Sequence, residues 1–376
     1  MPKQLCILSI VPFPLYPVQS GGQKKTAGLL EHFVQQHKVT LVTSADSGTP
    51  VSPFIDFKPW LRPDKWRYFD WRVLAKLRGL AQSADVVILD QPFWGLLGLL
   101  LAKQSGKKLI IHSHNIEGQR FKTIGKWWWW ILAELEKYVM RKADGVLFIT
   151  EEDRAFAIPH MGLKPEKCSI AEYGIELREP PLEVINTRTN TRKELFQNLD
   201  LEEGTSVFLF YGLMSYQPNI EALECILTKI LPLLVEDKEL PFHVIICGKG
   251  LPERYKELLG KSHISYLGFV DDIDAMIMAA DVVLNPVLSG GGVKTKLIDA
   301  LAVGTLVVST ETGALGVNTT ACKNMLMLAP DNDWNKFVEQ LKVAIKTAHA
   351  TPASFYEHYY LGNIANRVVK WILHKF

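Results

Sequence analysis

The sequence predicts an α/β protein built from two doubly wound, Rossmann-like domains facing a cleft. Three observations predict it. Short apolar runs alternate with amphipathic stretches of helical length along nearly the whole chain. The alternation comes in two series, separated by a polar, proline-marked stretch. The length of 376 residues exceeds one typical domain, and 48% hydrophobic against 22% charged residues can fill two cores.

The elements follow in order. Apolar runs beginning near Leu5, Val39, Val86, Leu109 and Val146 read as buried parallel strands of a first sheet. Runs beginning near Val207, His243, Val282 and Thr305 read as a second sheet. Stretches 22–36, 127–142, 219–236 and 333–348 carry helical periodicity between them. The apolar stretch FWGLLGLLLA at 93–102 reads as a buried helix, since a membrane span needs roughly 20 such residues. Glu179-Pro180-Pro181 and the polar run 186–205 suit a linker. The expected organisation is a first domain at 1–178, a linker at 179–204 and a second domain at 205–350. A helical, aromatic segment at 351–376 is expected to pack back on the first domain.

Composition narrows the function classes. Cys6, Cys168, Cys225, Cys247 and Cys322 are scattered and include no C-x-x-C pair, which favours reduced thiols, a cytoplasmic setting and no zinc site. The apolar run ending at Pro12 is too short for a signal peptide core and reads as the first strand. Net charge is +2, but residues 1–175 hold 23 Lys and Arg against 16 Asp and Glu, a local excess of +7. Such a basic half suits an anionic partner, including the inner face of a membrane. Two aromatic-basic stretches, 58–78 and 120–130, suit a membrane interface, sugar stacking or plain helix packing. Nucleic acid is not expected, because overall charge is near zero and no recognition motif occurs.

The chemistry-bearing stretch is Ser289-Gly-Gly-Gly-Val-Lys-Thr-Lys296. Glycines bare the backbone N–H groups, and the following helix start adds unpaired N–H groups and partial positive charge. Together they suit an anion, most often phosphate. Val293, Leu297 and Leu301 give the helix its spacing, Gly304 ends it, and a buried strand follows. Gly248-Lys-Gly250, Gly212 and Ser20-Gly21-Gly22 likewise follow apolar strands, so four glycine loops are expected at strand carboxyl ends. Asp272-Ile-Asp274 has the look of a metal signature, but acidic residues before a helix are ordinary caps, and no metal is expected there.

The words YGLMSYQPNIEAL (211–223), GKG (248–250), YLGFVDDIDAMIMAADVVLNPV (266–287) and SGGGVKTKLIDALAVGTLVVST (289–310) resemble the donor half of retaining glycosyltransferases of the GT-B fold, family 4, also described as glycosyl transferases group 1. SGGQ (20–23), HSHNIEGQRF (112–121) and YGIE (173–176) resemble the acceptor half. The resemblance implies that Lys294 and Lys296 hold a donor diphosphate and that Gly290, Gly291, Gly292 and Val293 form the loop around the sugar and phosphate. Asp299 stands where the family places a ribose-binding carboxylate. Gly212, Gly248, Gly250, Phe269 and Val270 complete the implied donor site, and Gly21 and Gly22 approach the diphosphate. His114 matches the active-site histidine, and Glu117 and Arg120 are candidates to orient it or meet the acceptor. Gly291 departs from the pattern, which has a glutamate eight positions before Asp299, and no arginine follows Gly212 at the usual spacing.

Transfer of a sugar from a nucleotide diphosphate builds negative charge on the leaving phosphate, so the chemistry needs fixed positive charge there. Two lysines, bare N–H groups and a helix terminus supply it with no cofactor and no metal. The resemblance implies same-face attack with a phosphate oxygen taking the acceptor proton, and therefore no protein nucleophile. The implied partners are a nucleotide sugar and a glycan or lipid-linked acceptor in cell-surface polysaccharide synthesis, with peripheral membrane contact. A nucleotide-sugar epimerase, or a non-catalytic binding module derived from a transferase, are the alternatives; the loss of the carboxylate at Gly291 disfavours the first, and the departures at Gly291 and Asp299 are the only support for the second.

Overall fold

A computed structural model describes residues 4–181, 184–255, 259, 263–346 and 350–376. These fall into two compact units, Met1–Glu176 with Tyr359–Phe376, and Leu177–His358.

The first unit runs β1 (Cys6–Val11), α1 (Gly21–Phe33), β2 (Lys38–Ser44), β3 (Asp56–Leu61), α2 (Val73–Ser83), β4 (Val86–Asp90), α3 (Gly95–Ser105), β5 (Lys108–Ser113), α4 (Glu117–Thr123), α5 (Trp129–Lys142), β6 (Gly145–Phe148), α6 (Glu151–Met161) and β7 (Cys168–Ile170). The strands form one sheet in the order β3-β2-β1-β4-β5-β6-β7, and every pairing is parallel. Parallel strands need helical crossovers, which cover both faces and account for the continuous apolar runs. One face buries Leu8, Val87 and Leu109 against Leu77, Leu101 and Val139. The other buries Ile7, Ile88 and Ile110 against Leu30 and Phe33.

The second unit runs α7 (Val184–Asn198), β8 (Ser206–Tyr211), α8 (Gln217–Cys225), α9 (Leu231–Glu236), β9 (Phe242–Cys247), β10 (Ile264–Gly268), α10 (Ile273–Ala279), β11 (Val282–Asn285), α11 (Thr295–Ala302), β12 (Leu306–Thr310), α12 (Thr319–Cys322), β13 (Leu326–Ala329), α13 (Trp334–Lys346) and α14, which begins at Ala353 and ends at Tyr359. Its sheet has the order β10-β9-β8-β11-β12-β13, again all parallel. Two doubly wound parallel sheets are the predicted fold class. The last helix, α15 (Leu361–Lys375), returns to the first unit as expected. Ile364, Ala365, Val368 and Ile372 pack beside Ala27 and Leu30, and Ile175 exchanges backbone hydrogen bonds with Tyr359 and Leu361.

Several expectations change. The stretch 186–205, expected as linker, is helical over Val184–Asn198, because Arg188 and Arg192 reach Asp281 at 2.8 and 2.9 Å and tie α7 to its unit. The helix expected over 219–236 carries a widened turn at Ile226–Ile230 between α8 and α9. The stretch 93–102 is helical from Gly95, but Leu96 and Leu100 are exposed rather than buried. Residues 347 and 348, the expected end of the helix from 333, lie outside the described residues. Asp272 caps α10 by accepting from the Ala275 N–H at 2.9 Å, the ordinary role expected of that acidic pair.

Candidate functional site

Each sheet reverses its winding once, between β1 and β4 in the first and between β8 and β11 in the second. The crevice outside the strand carboxyl ends at such a point is where doubly wound folds take ligands. The predicted residues follow strands β1 and β5 in the first unit and β8, β9, β10 and β11 in the second.

In the second unit the loops leaving β8, β9, β10 and β11 are packed on one another. The Met214 N–H donates to the Lys249 carbonyl at 2.7 Å, and the Gly248 N–H donates to the Gly268 carbonyl at 2.7 Å. A Cβ on Gly248 would lie 1.8 Å from the Gly212 oxygen, so only glycine fits. A Cβ on Gly290 would lie 2.9 Å from Pro218 Cγ and 3.1 Å from the Tyr216 hydroxyl. Gly291 faces open space. Phe269, exposed just after β10, lies under the Lys249 ammonium at 3.8 Å from the ring centre, with half-buried Val270 beside it.

The loop from Ser289 to Val293 leads into α11, whose first turn has no side-chain cap. The Tyr211 hydroxyl pins that turn by donating to the Lys296 carbonyl at 2.9 Å. Lys294 curls back, its amine donating to the carbonyls of Gly290 at 2.8 Å and Gly292 at 3.1 Å. Burial pulls the Lys294 amine down to about 8. Lys296 differs. Its amine is shut off from solvent, has no hydrogen-bond partner among the described residues, and stands 4.5 Å from the centre of the Phe210 ring. Burial, and then the neighbouring Lys294 charge, pull it down to about 7. A desolvated cation with no counterion favours any anion that reaches it. Asp299 is half-buried on α11, one turn beyond the lysines.

In the first unit Ser20 caps α1 by accepting from the Gln23 N–H, so Gly21 and Gly22 open the helix beside the end of β1. A Cβ on Gly22 would lie 3.3 Å from His114 Nδ1. His114 Nε2 lies 2.8 Å from Asp90 Oδ1. His112 Nδ1 reaches the same oxygen at 2.8 Å, and the Thr26 hydroxyl donates to it at 3.0 Å. Register explains the grouping, since Asp90 and His112 are direct partners on β4 and β5. Lys25, on the buried stripe of α1 with Leu29 and Phe33, places its amine 2.5 Å from His112 Nε2. Burial pulls the Lys25 amine down to about 7, with Asp90 and Glu172 offsetting only part. Burial and Lys25 push His112 down to about 3, despite Asp90. Burial raises Asp90, but the two histidines more than reverse it and hold its carboxyl well below the usual range.

Asp90, His112 and His114 are also metal-type ligands, with donor atoms within 4.8 Å of one another. Those atoms already share protons with the carboxylate, and an ammonium stands at the other His112 nitrogen. That donor set suits a closed hydrogen-bond network better than a divalent ion.

Among the described residues no hydrogen bond joins Glu117 to His114, and Glu117 does not reach solvent. It is fully buried, accepting from Asn115 at 3.2 Å and from Arg120 at 2.9 Å, so only the half-exposed Arg120 guanidinium faces outward. Glu136 in turn accepts from the Glu117 and Gly118 N–H groups at 2.9 and 3.0 Å, and burial raises it to about 7. Sequence reasoning missed Asp90, His112's partner role, Lys25, Phe210 and Glu136. A signal existed for Asp90, a carboxylate closing the apolar run from Val86, and for Lys25, a lysine on an apolar helical stripe.

The model described as Glycosyltransferase Family 4 matches residues 20–179, and the model described as Glycosyl transferases group 1 matches residues 205–347. A relative in Bacillus subtilis (strain 168), EpsD, carries a provisional glycosyltransferase name and is 25% identical over 260 residues. That match spans 63% of this chain and 63% of the relative's length. Among solved structures, Anabaena Alr3699/HepE in complex with UDP superposes with a TM-score of 0.71 at 14% identity, covering 98% of this chain and 100% of that one. Sucrose-phosphate synthase from Thermosynechococcus elongatus gives 0.69 at 14% identity, covering 98% of both. At these identities the structures establish the shared fold. The two glycosyltransferase models account for both site-bearing regions and between them span most of the chain, which is a glycosyltransferase.

Proposed function

We propose that the protein transfers a sugar, with retention of configuration, from a nucleotide diphosphate sugar to a glycan or lipid-linked acceptor in cell-surface polysaccharide synthesis. The buried, unpartnered Lys296 amine at the mouth of α11 carries the proposal. With Lys294 and the glycine-loop N–H groups it supplies positive charge where the departing diphosphate needs it, with no metal required. His114 is the residue offered to a sugar hydroxyl. Asp299 is offered to the ribose. The solved complexes of Anabaena HepE with UDP and with UDP-glucose support a nucleoside-diphosphate donor class.

Peripheral membrane contact is part of the proposal. Trp66, Trp71 and Trp127 are 67%, 69% and 79% exposed, so these rings are not core packing. Ring contacts from Tyr68 through Phe93 and Phe121 to Trp128 join the two aromatic-basic stretches into one patch, bearing Lys65, Arg67, Lys122 and Lys126. Indole rings with lysine and arginine suit an anionic lipid interface. No helix among the described residues is long and apolar enough to cross a membrane.

The test is thermal stabilisation by UDP, GDP, ADP and their sugar conjugates. A ligand at a hundred times its Kd adds about 2.7 kcal/mol. Stabilisation by one nucleotide class, lost in Lys294→Ala/Lys296→Ala, is expected. A folded protein indifferent to every nucleotide overturns the donor site. Transfer unchanged in His114→Ala overturns the histidine's role.

A further inference from the structure

We propose that Asp90, backed by His112 and Lys25, is a positioning residue that fixes His114 as its Nε2–H tautomer and presents Nδ1 as a hydrogen-bond acceptor beside Gly22. The proposal rests on the transferase reading only for what Nδ1 meets, a sugar hydroxyl.

The direction of each hydrogen bond follows from chemistry. An ionised carboxylate only accepts. The nitrogens 2.8 Å from Asp90 Oδ1, His112 Nδ1 and His114 Nε2, must therefore both carry hydrogen. A neutral His114 then has its lone pair on Nδ1. Two neighbours agree. The Gln91 side-chain nitrogen lies 3.4 Å from Nδ1, and an amide NH2 can only donate. The space at Nδ1 is left open by Gly22, where a Cβ would come within 3.3 Å. Gln91 is held at φ 64, a conformation rare outside glycine, by its N–H donating to the His112 carbonyl at 2.8 Å. The turn after β4 is thus bent to bring that amide over the ring.

The far end of the chain balances the charge. With its Nδ1–H committed to Asp90, His112 offers Nε2 as an acceptor, and the Lys25 amine donates to it at 2.5 Å. Lys25, His112, Asp90 and His114 are each less than a tenth exposed. A buried carboxylate here needs a cation, and Lys25 supplies one through a histidine rather than by direct contact. Among the described residues the other charged group acting on Lys25 is Glu172, itself paired with Arg367 at 3.0 Å. Asp90 is 2% exposed and bonded to the ring of His114, so its action is on that ring.

The experiment is imidazole 15N spectroscopy on histidine-labelled protein, with transfer kinetics alongside. The wild type should show His114 as the neutral Nε2–H form. In Asp90→Leu the one oxygen that both rings share is gone, so nothing there accepts from His114 Nε2 and the ring is released to a mixture of Nε2–H and Nδ1–H forms. kcat/KM should then fall about 10–100-fold, the cost of one lost buried hydrogen bond. Should Asp90→Leu fail to fold, Asp90→Leu/Lys25→Met removes both charges together and should show the same mixture. An Nδ1–H form in the wild type, an unchanged tautomer in a folded variant, or full turnover with the mixed ring each overturns the proposal. The spectrum reads the relay without activity, so an inactive wild type with the expected tautomer would overturn the transferase role and leave the relay standing.

Discussion

Lys296 should make donor binding consume a proton. Its amine sits at about 7 instead of its ordinary 10.5, because burial disfavours the ammonium and Lys294 adds repulsion. A drop of that size is worth about 5 kcal/mol against the charged form. In the free protein the sign is clear. The unfolded lysine holds its proton up to its ordinary pKa while the folded one loses it near 7, so this group's penalty is full below 7 and fades toward 10.5. A diphosphate beside the amine reverses the preference and restores the ammonium. Above pH 7 binding must then take up a proton, and affinity should fall by about tenfold per pH unit while the bound amine stays charged. Calorimetric titration with UDP-glucose between pH 7 and 9 is the assay, run in two buffers of different ionisation enthalpy. A nucleotide sugar suits it because its phosphodiester oxygens do not titrate in that range. Lys296→Met should weaken binding at pH 7 by about 10–150-fold, the value of a hydrogen bond to a charged group. It should flatten the slope below pH 8, leave the shallower contribution of Lys294 above it, and raise the melting temperature of the free protein. Tight binding with no proton uptake in the wild type, or Lys296→Met with unchanged affinity and slope, would refute the counterion reasoning.

Other outcomes follow from the same geometry. Gly291→Glu should fold with stability within about 0.5 kcal/mol of wild type, because its Cβ meets nothing within 4 Å, and should change donor-sugar preference in a competition assay by returning a carboxylate to the loop. Gly248→Ala should cost about 3 kcal/mol or more in urea unfolding, since its Cβ would strike the Gly212 carbonyl and its φ is 145. Wild-type protein should co-sediment with phosphatidylglycerol vesicles in low salt and not with neutral ones. Trp66→Ser/Trp71→Ser/Trp127→Ser should lose that binding at unchanged melting temperature, because all three rings are exposed.

The sequence alone determined the class of fold, and the misses show why. Strands β1, β2, β4, β5 and β6, and β8, β9, β11 and β12, were all legible. Each is interior to its sheet, covered on both faces and therefore written as an unbroken apolar run. The four strands not anticipated, β3, β7, β10 and β13, are the four sheet edges. An edge strand is partly wetted, and DFKPWL at β3 carries charge and proline that hide the strand signal. The glycine-lysine loop before α11 was legible too, because glycines and lysines next to a helix start are a local arrangement that needs no distant partner.

What the tertiary structure decided is everything that depends on register and burial. Sequence marked His114 but not its holder, because Asp90 and His112 meet only through the pairing of β4 with β5, and Lys25 only through the docking of α1 on that sheet. Sequence marked Lys294 and Lys296 as an equal pair. Folding turned one onto the glycine carbonyls and sealed the other against Phe210 with no hydrogen-bond partner among the described residues, and a charge's surroundings, not its identity, set what it will bind.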